Sequence, residues 1–491
     1  SGGLDSNQRP LAPHASALPG CATTRSCSDG LTMNFFIASV PPSAGPPPEH
    51  LPVFGRANVR QNSATLKSKT KLYLRPLMKL LIKQASIVDP LSPFNGQTAD
   101  IFIENGIITQ IGNNLPVKAD QEFSMDGLCV SPGWVDLFAN FADPGYEYKE
   151  TLETGAAAAA AGGYTDVFII PNTNPVVHNK ATVEYIVQKS LHLPVNVHPL
   201  GAVTRNTEGK ELAEMYDMKN SGAIAFSDGL NSVQSAGLLV KALQYVKAFD
   251  GTIIQLPDDK SINPHGLMNE GIVSTQLGLP GKPAMSEELI VARDIKLARY
   301  ADSKLHFTGI STKKSLEYIK RGKESGAAVS CSVTPYHLFF CDEDLTDYNT
   351  NLKVNPPLRT KEEKESLKQA ILNGTVDCLA SHHLPHEFDS KVIEFEYARF
   401  GMTGLETAYA VLNTAIPGIS AERCVELLAI NPRKLFGMDA ATINTGSKAS
   451  LTLFNPARQW TVDEKDFKSK SSNSPFIGKQ LTGKAIGIIT K

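Results

Sequence analysis

Pro132-Gly133-Trp134-Val135-Asp136-Leu137-Phe138-Ala139-Asn140-Phe141-Ala142-Asp143-Pro144-Gly145 is the stretch on which the fold turns. A short apolar run that starts at Pro-Gly and ends in a turn predicts a buried parallel strand whose last residues face a site at its C-terminal end. Side chains two apart on a strand share a face, so Phe138 and Asn140 project together. That spacing is how a His-x-His pair grips a metal, and neither residue is a competent ligand.

Working outward, strand-like and helix-like segments alternate on both sides, which predicts a parallel sheet covered by helices. The strands fall near 133–140, 165–171, 195–202, 222–227, 252–256, 304–309, 328–334 and 376–382. Eight such strands fit an α/β TIM-type (β/α)8 barrel over 132–437. Leu152–Ala161 reads as a helix rich in alanine and stopped by Gly162-Gly163. Ser286–Ala301 reads as another, with Ser286 as its cap and an acidic first turn.

Before the barrel, residues 78–131 hold strand-like runs joined by the hairpin signal Glu104-Asn105-Gly106. Strand-like runs recur at 450–454 and 483–489, so a small β-sandwich domain is expected from 78–131 together with 438–491. Residues 1–77 are rich in Pro, Ser, Ala and Gly, with the break Ser43-Ala44-Gly45-Pro46-Pro47-Pro48. That composition predicts a disordered extension or spurious upstream translation, with Met78 as the native start.

The chain has 491 residues and balances 48 Lys and Arg against 50 Asp and Glu. Nothing in that charge favours nucleic acid or an anionic membrane as a partner. Seven cysteines without paired spacing suit a reducing cytoplasm and buried, inert thiols. No apolar run approaches the ~20 residues of a membrane span.

Further motifs lie along the chain in a fixed order. They are Tyr146 with Lys149-Glu150-Thr151, Pro171-Asn172-Thr173-Asn174-Pro175, Met268-Asn269-Glu270-Gly271, Leu277-Gly278-Leu279-Pro280-Gly281, Val354-Asn355-Pro356-Pro357-Leu358-Arg359, Gly404-Leu405-Glu406-Thr407 and Asn473-Ser474-Pro475-Phe476. With them the chain from Met78 onward resembles a dihydroorotase of the multifunctional-complex type, within the amidohydrolase superfamily. The resemblance implies pyrimidine biosynthesis, a split β domain, and a barrel whose zinc ions activate water against a cyclic amide.

Set against that family, the ligand stations of this chain are substituted. The first-strand Asp-x-His-x-His-x-Arg stands here as Asp136 with Phe138, Asn140 and Ala142. The strand-five histidine falls at Leu256, the strand-six histidine at Gly309, and the strand-eight aspartate at His382. Asp228 is the one remaining candidate ligand. The resemblance carries substrate contacts over to Asn172, Asn355 and His386, while turn formation beside proline is the rival reading of both asparagines. A replacement site from His382, His383, His386 and Asp228 is weighed against polar lining of a vestigial pocket, and the second is preferred.

The sequence is therefore read as a non-catalytic dihydroorotase-like protein, cytoplasmic and oligomeric, without catalytic residues or a metal cofactor. A structural or regulatory role is expected, with aspartate transcarbamoylase as the possible partner. The rival is an active dihydroorotase or a related cyclic amidohydrolase acting on hydantoins or allantoin. A third reading is a binding module that senses a pyrimidine intermediate through Asn172, Asn355 and His386.

Overall fold

In the computed structural model the described residues are 34–37, as backbone, and 79–490. They lie within one compact unit, residues 32–491. Strands Trp134–Ala139, Tyr164–Ile169 and Asn196–Pro199 pair in parallel, as do Thr252–Gln255, Lys304–Phe307, Val329–Val333 and Cys378–Leu379. Isolated parallel bridges Gly201 to Phe226 and Phe226 to Ile253 join the two sets. A further bridge from Ala139 to His383 brings the order back to its first strand.

Seven of the eight expected strands thus sit where their apolar runs lie, while the one expected at 222–227 is present only as isolated bridges at Phe226. Val135, Leu137, Phe138, Phe168, Leu200, Ala225, Ile254 and Ala380 cluster among themselves. The opposite strand faces pack against helices such as Leu152–Ala161, in which four of the six consecutive alanines are buried. Small side chains let that helix approach closely: a Cβ on Gly155 would stand 2.5 Å from the Phe141 ring.

Both ends of the chain enter one sheet. Its order is Asn34–Ile37, Gln480–Thr490, Leu451–Thr461, Cys129–Pro132, Lys79–Ile87, Thr98–Glu104 and Ile107–Gly112, with Gln121–Phe123 alongside Lys79–Ile87. Asn105 and Gly106 both take positive φ, 53° and 76°, as the hairpin signal requires.

Two expectations are corrected. Asn34–Ile37 pairs antiparallel with Gly487–Thr490, so part of 1–77 is a strand; an unpaired sheet edge offers the hydrogen bonds that composition alone does not reveal. The rest of the 1–77 extension lies outside the described residues. Ser286 is not a cap: the helix runs Met285–Ala301 with Ala284 at its N-cap, and Ser286 Oγ donates to Pro283 O at 2.8 Å. Glu287 instead turns inward and accepts from Ser311 N and Thr312 N, each at 3.1 Å. The expected acidic first turn thus serves a buried network.

The cysteines Cys129, Cys331, Cys341, Cys378 and Cys424 are free and buried. Cys21 and Cys27 lie outside the described residues. Among the described residues no helix is long and apolar enough to cross a membrane.

Candidate functional site

The first strand delivers Asp136 to the seam with the last. Its carboxylate accepts from Ser381 N at 2.6 Å, Ser381 Oγ at 2.9 Å and Phe138 N at 3.3 Å. Burial pushes its carboxyl up to about 6, against the pull of those donors. Asp136 therefore has its oxygens occupied in holding two strands together.

Two residues on, Phe138 is 2% exposed, and its ring stacks on His382 with centroids 4.4 Å apart and planes at 28°. Asn140 Oδ1 accepts from Ala142 N at 2.8 Å, closing a local turn that lets Ala142 hold φ 58°. Leu256 is buried. Gly309 holds φ 71°, and a Cβ there would stand 2.7 Å from His382 Cε1 and 3.1 Å from Leu256 Cδ1. Phe138, Leu256 and Gly309 thus form a packed group with the His382 ring.

His382 is held by a chain of hydroxyls running down the strand interior. Ser332 Oγ donates to Thr308 Oγ1 at 3.0 Å, so Thr308 donates onward to His382 Nε2 at 2.8 Å. His306 sits below, with Nε2 3.1 Å from Ser332 Oγ and Nδ1 2.8 Å from Ser330 Oγ. Each member then has one donor and one acceptor role, with the His382 proton on Nδ1. Burial lowers His382 and His306 to about 3, so both imidazoles are neutral at ordinary pH. His337 is likewise a satisfied core residue, 2.6 Å from Thr334 Oγ1 and 3.2 Å from Pro357 O.

The remaining candidates divide. Asp228, the possible remaining ligand, accepts at Oδ1 from Thr204 N at 2.8 Å and at Oδ2 from Thr204 Oγ1 at 2.5 Å. Burial raises its carboxyl to about 6. Asn172 donates to Asp228 O and accepts from Leu230 N, making it a clamp on the 228–230 turn, outside the pocket lining. Asn355 lines the pocket but accepts from Lys282 Nζ at 2.9 Å, within a Lys282–Asp258 ion pair of 2.7 Å. His386 also lines it; Nε2 donates to Phe400 O at 2.9 Å while Nδ1 has no partner. Burial lowers His386 to about 4.

A zinc pair is a poor match for these residues. Such a site needs several imidazoles and carboxylates with free lone pairs converging on one point. Phe138, Leu256 and Gly309 offer none, Asn140 is spent in its turn, and His382 Nε2 is already an acceptor. Among the described residues no three His, Cys, Asp or Glu side chains are grouped to hold an ion.

What remains is a cavity of about 460 Å³ whose lining includes Phe138, His382, Tyr336, Tyr146, Lys149 and Arg399. Sequence reasoning used Tyr146 and Lys149 only as markers of resemblance, and it missed Arg399 and Phe400. The alternation of aromatic and basic residues in Tyr146-Glu147-Tyr148-Lys149 and in Tyr397-Ala398-Arg399-Phe400 was the available signal.

Residues 127–315 match the family model described as dihydro-orotase-like. The chain is 41% identical over 408 residues to a dihydroorotase of Acetivibrio thermocellus, covering 82% of this chain and 96% of that one. It is 39% identical over 414 residues to a dihydroorotase of Syntrophus aciditrophicus, covering 83% and 97%. Among solved structures, the L-hydantoinase (dihydropyrimidinase) of Arthrobacter aurescens superposes with TM-score 0.74 at 24% identity, over 84% of this chain and 94% of that one. The dihydropyrimidinase of Brevibacillus agri gives 0.71 at 21%, over the same shares.

Proposed function

Because this chain belongs to the dihydroorotase family, we propose that it serves pyrimidine biosynthesis as a (β/α)8-barrel protein with a split β-sandwich domain and a binding pocket, without metal-dependent hydrolysis. The observation that carries this is the packed group of Phe138, Leu256 and His382 against Gly309. Apolar volume and a hydrogen-bonded neutral imidazole occupy the positions where the resemblance calls for metal ligands. Water without a metal keeps a pKa far above the ~7 of a zinc-bound one, so amide hydrolysis loses its nucleophile. The role then left is structural or regulatory, in the cytoplasm and within an oligomer, with aspartate transcarbamoylase as the first partner to test.

A second reading has its own support. Relatives at about 40% identity over nearly their whole length carry the name dihydroorotase, which favours an active cyclic amidohydrolase. One preparation separates the two. Zinc content by elemental analysis and turnover of dihydroorotate in both directions are measured on the full chain, with and without added zinc. The non-catalytic reading expects neither bound zinc nor turnover; stoichiometric zinc with turnover refutes it.

A further inference from the structure

The sheet built from both ends of the chain has covered edges. On one side, Ile107–Gly112 is closed by the segment that precedes Leu451–Thr461: Ile108 N donates to Ser447 O at 2.9 Å, and Gly446 N donates to Ile108 O at 2.7 Å. On the other side, Gln480–Thr490 is closed in two places. Near its start, the helix Ala408–Ala415 takes both backbone groups of Thr482: Thr414 Oγ1 accepts from Thr482 N at 2.8 Å, and Asn413 Nδ2 donates to Thr482 O at 3.1 Å. Near its end, Asn34–Ile37 pairs antiparallel with Gly487–Thr490, with Asn34 opposite Thr490 and Ile37 opposite Gly487.

The second cover lies where this edge is most adhesive. An unpaired strand edge is a template for pairing with another chain, and charged side chains on the strand are one of the means that blunt it. The first half of the strand carries Lys484, but Ala485-Ile486-Gly487-Ile488-Ile489-Thr490 carries no charge. Ile486, Ile488 and Ile489 are buried, so this half is anchored in the core while its backbone groups run along the rim. An uncharged run rich in isoleucine on a rim is a strand-pairing hazard. The strand that covers it is only four residues long, and a very short strand is itself a poor edge.

We propose that Gly487–Thr490 is a self-association edge which Asn34–Ile37 keeps closed, and that once this strand leaves, the edge pairs antiparallel with the same edge of a second copy. Pairing of one strand with its own copy in antiparallel sense is isologous, so the contact closes at two chains. The second copy then uses the ladder positions that Asn34–Ile37 uses in the closed chain. Departure of the covering strand and dimerisation are therefore linked. This edge lies in the split sheet and is independent of the proposed function.

Sedimentation velocity and amide hydrogen exchange on the full chain test this. Successive N–H groups of a strand point to opposite sides, so one of Phe35→Pro and Phe36→Pro removes an N–H aimed at Gly487–Thr490 and the other removes an outward one. The first kind of replacement opens the edge. At dilutions where its mass equals the wild type's, the alternate amides of 487–490 that face away from Leu451–Thr461 exchange at least about tenfold faster than in wild type. At higher concentration the variant reaches twice the wild-type mass, with its melting curve kept. A synthetic peptide of residues 32–39 in excess returns it to the wild-type mass and restores protection. The proposal is overturned if neither variant gains mass although one exposes the edge, or if the peptide does not reverse the gain. A variant that binds the peptide yet keeps the wild-type mass accepts strands but not its own copy, which also overturns it. Wild-type exchange needs no variant and decides even where both replacements melt early: if those alternate amides are unprotected in wild type, no strand closes the edge and the proposal fails.

Discussion

Replacing Gly309 by alanine probes how closely His382 packs over this glycine. Two costs follow from the geometry. The backbone at φ 71° disfavours any side chain by about 1–2 kcal/mol. The new methyl would meet His382 Cε1 at 2.7 Å and Leu256 Cδ1 at 3.1 Å. The imidazole cannot retreat, because Phe138 stacks on one face and Thr308 holds Nε2. Overpacking of this kind costs roughly 1–3 kcal/mol. The sum is a loss of about 2–5 kcal/mol, measured by urea denaturation. His382→Ala removes the obstructing ring, so Gly309→Ala made in that background should keep only the backbone part. The cycle then gives a coupling of about 1–3 kcal/mol between the positions. A single-mutant loss below about 0.5 kcal/mol, or a coupling of zero, refutes the packed arrangement.

Three further perturbations probe neighbouring features. Phe138→Ala empties a fully packed site and should cost about 3–5 kcal/mol in urea; a loss under ~1 kcal/mol would mean that the ring is not part of the core. Asp136→Ala strands Ser381 N and Oγ and should cost about 1–3 kcal/mol, whereas unchanged stability would remove its role at the seam. For Lys391, burial and then the nearby Lys353 charge hold the ammonium down to about 7, against an unfolded value of 10.5. Between those pH values the unfolded chain binds more protons, so this group makes stability rise with pH, by up to about 1.4 kcal/mol per unit. Lys391→Met should lose that slope, and identical slopes for wild type and variant between pH 7.5 and 9.5 would contradict the assignment.

Much of this architecture was legible because it is written in local pattern. The apolar runs behind the parallel strands, the Glu104-Asn105-Gly106 hairpin and the alanine helix each depend on neighbours in sequence. That Phe138, Asn140, Leu256 and Gly309 carry neither an imidazole nor a carboxylate was equally legible, since it needs only residue identity. What fills the space was not. That His382 leans over Gly309 onto Phe138 joins residues from three segments distant in sequence. Asp228 read as a spare ligand because Thr204, 24 residues away, gives no sign of capturing it. Ser286 read as a cap because the motif is local, while Glu287 answers to Ser311 and Thr312 across the fold. Arg399 was invisible as a pocket residue because it lies in a loop whose backbone is fixed by the side chains of Lys391 and Lys353.

The clasp of Asp136 on Ser381 spans 245 residues, which makes it an event in time as well as in space. Ribosomes add roughly 5–20 residues per second, so about 10–50 s separate the emergence of its two halves. Throughout that interval the first strand waits with its final neighbour still unsynthesised. Leu451–Thr461, which pairs with the free side of Cys129–Pro132, and Gln480–Thr490, which pairs with Leu451–Thr461, come later still. The nascent chain therefore holds exposed strand edges until its last segments arrive, and the cell's chaperones have most to protect in the partly made protein.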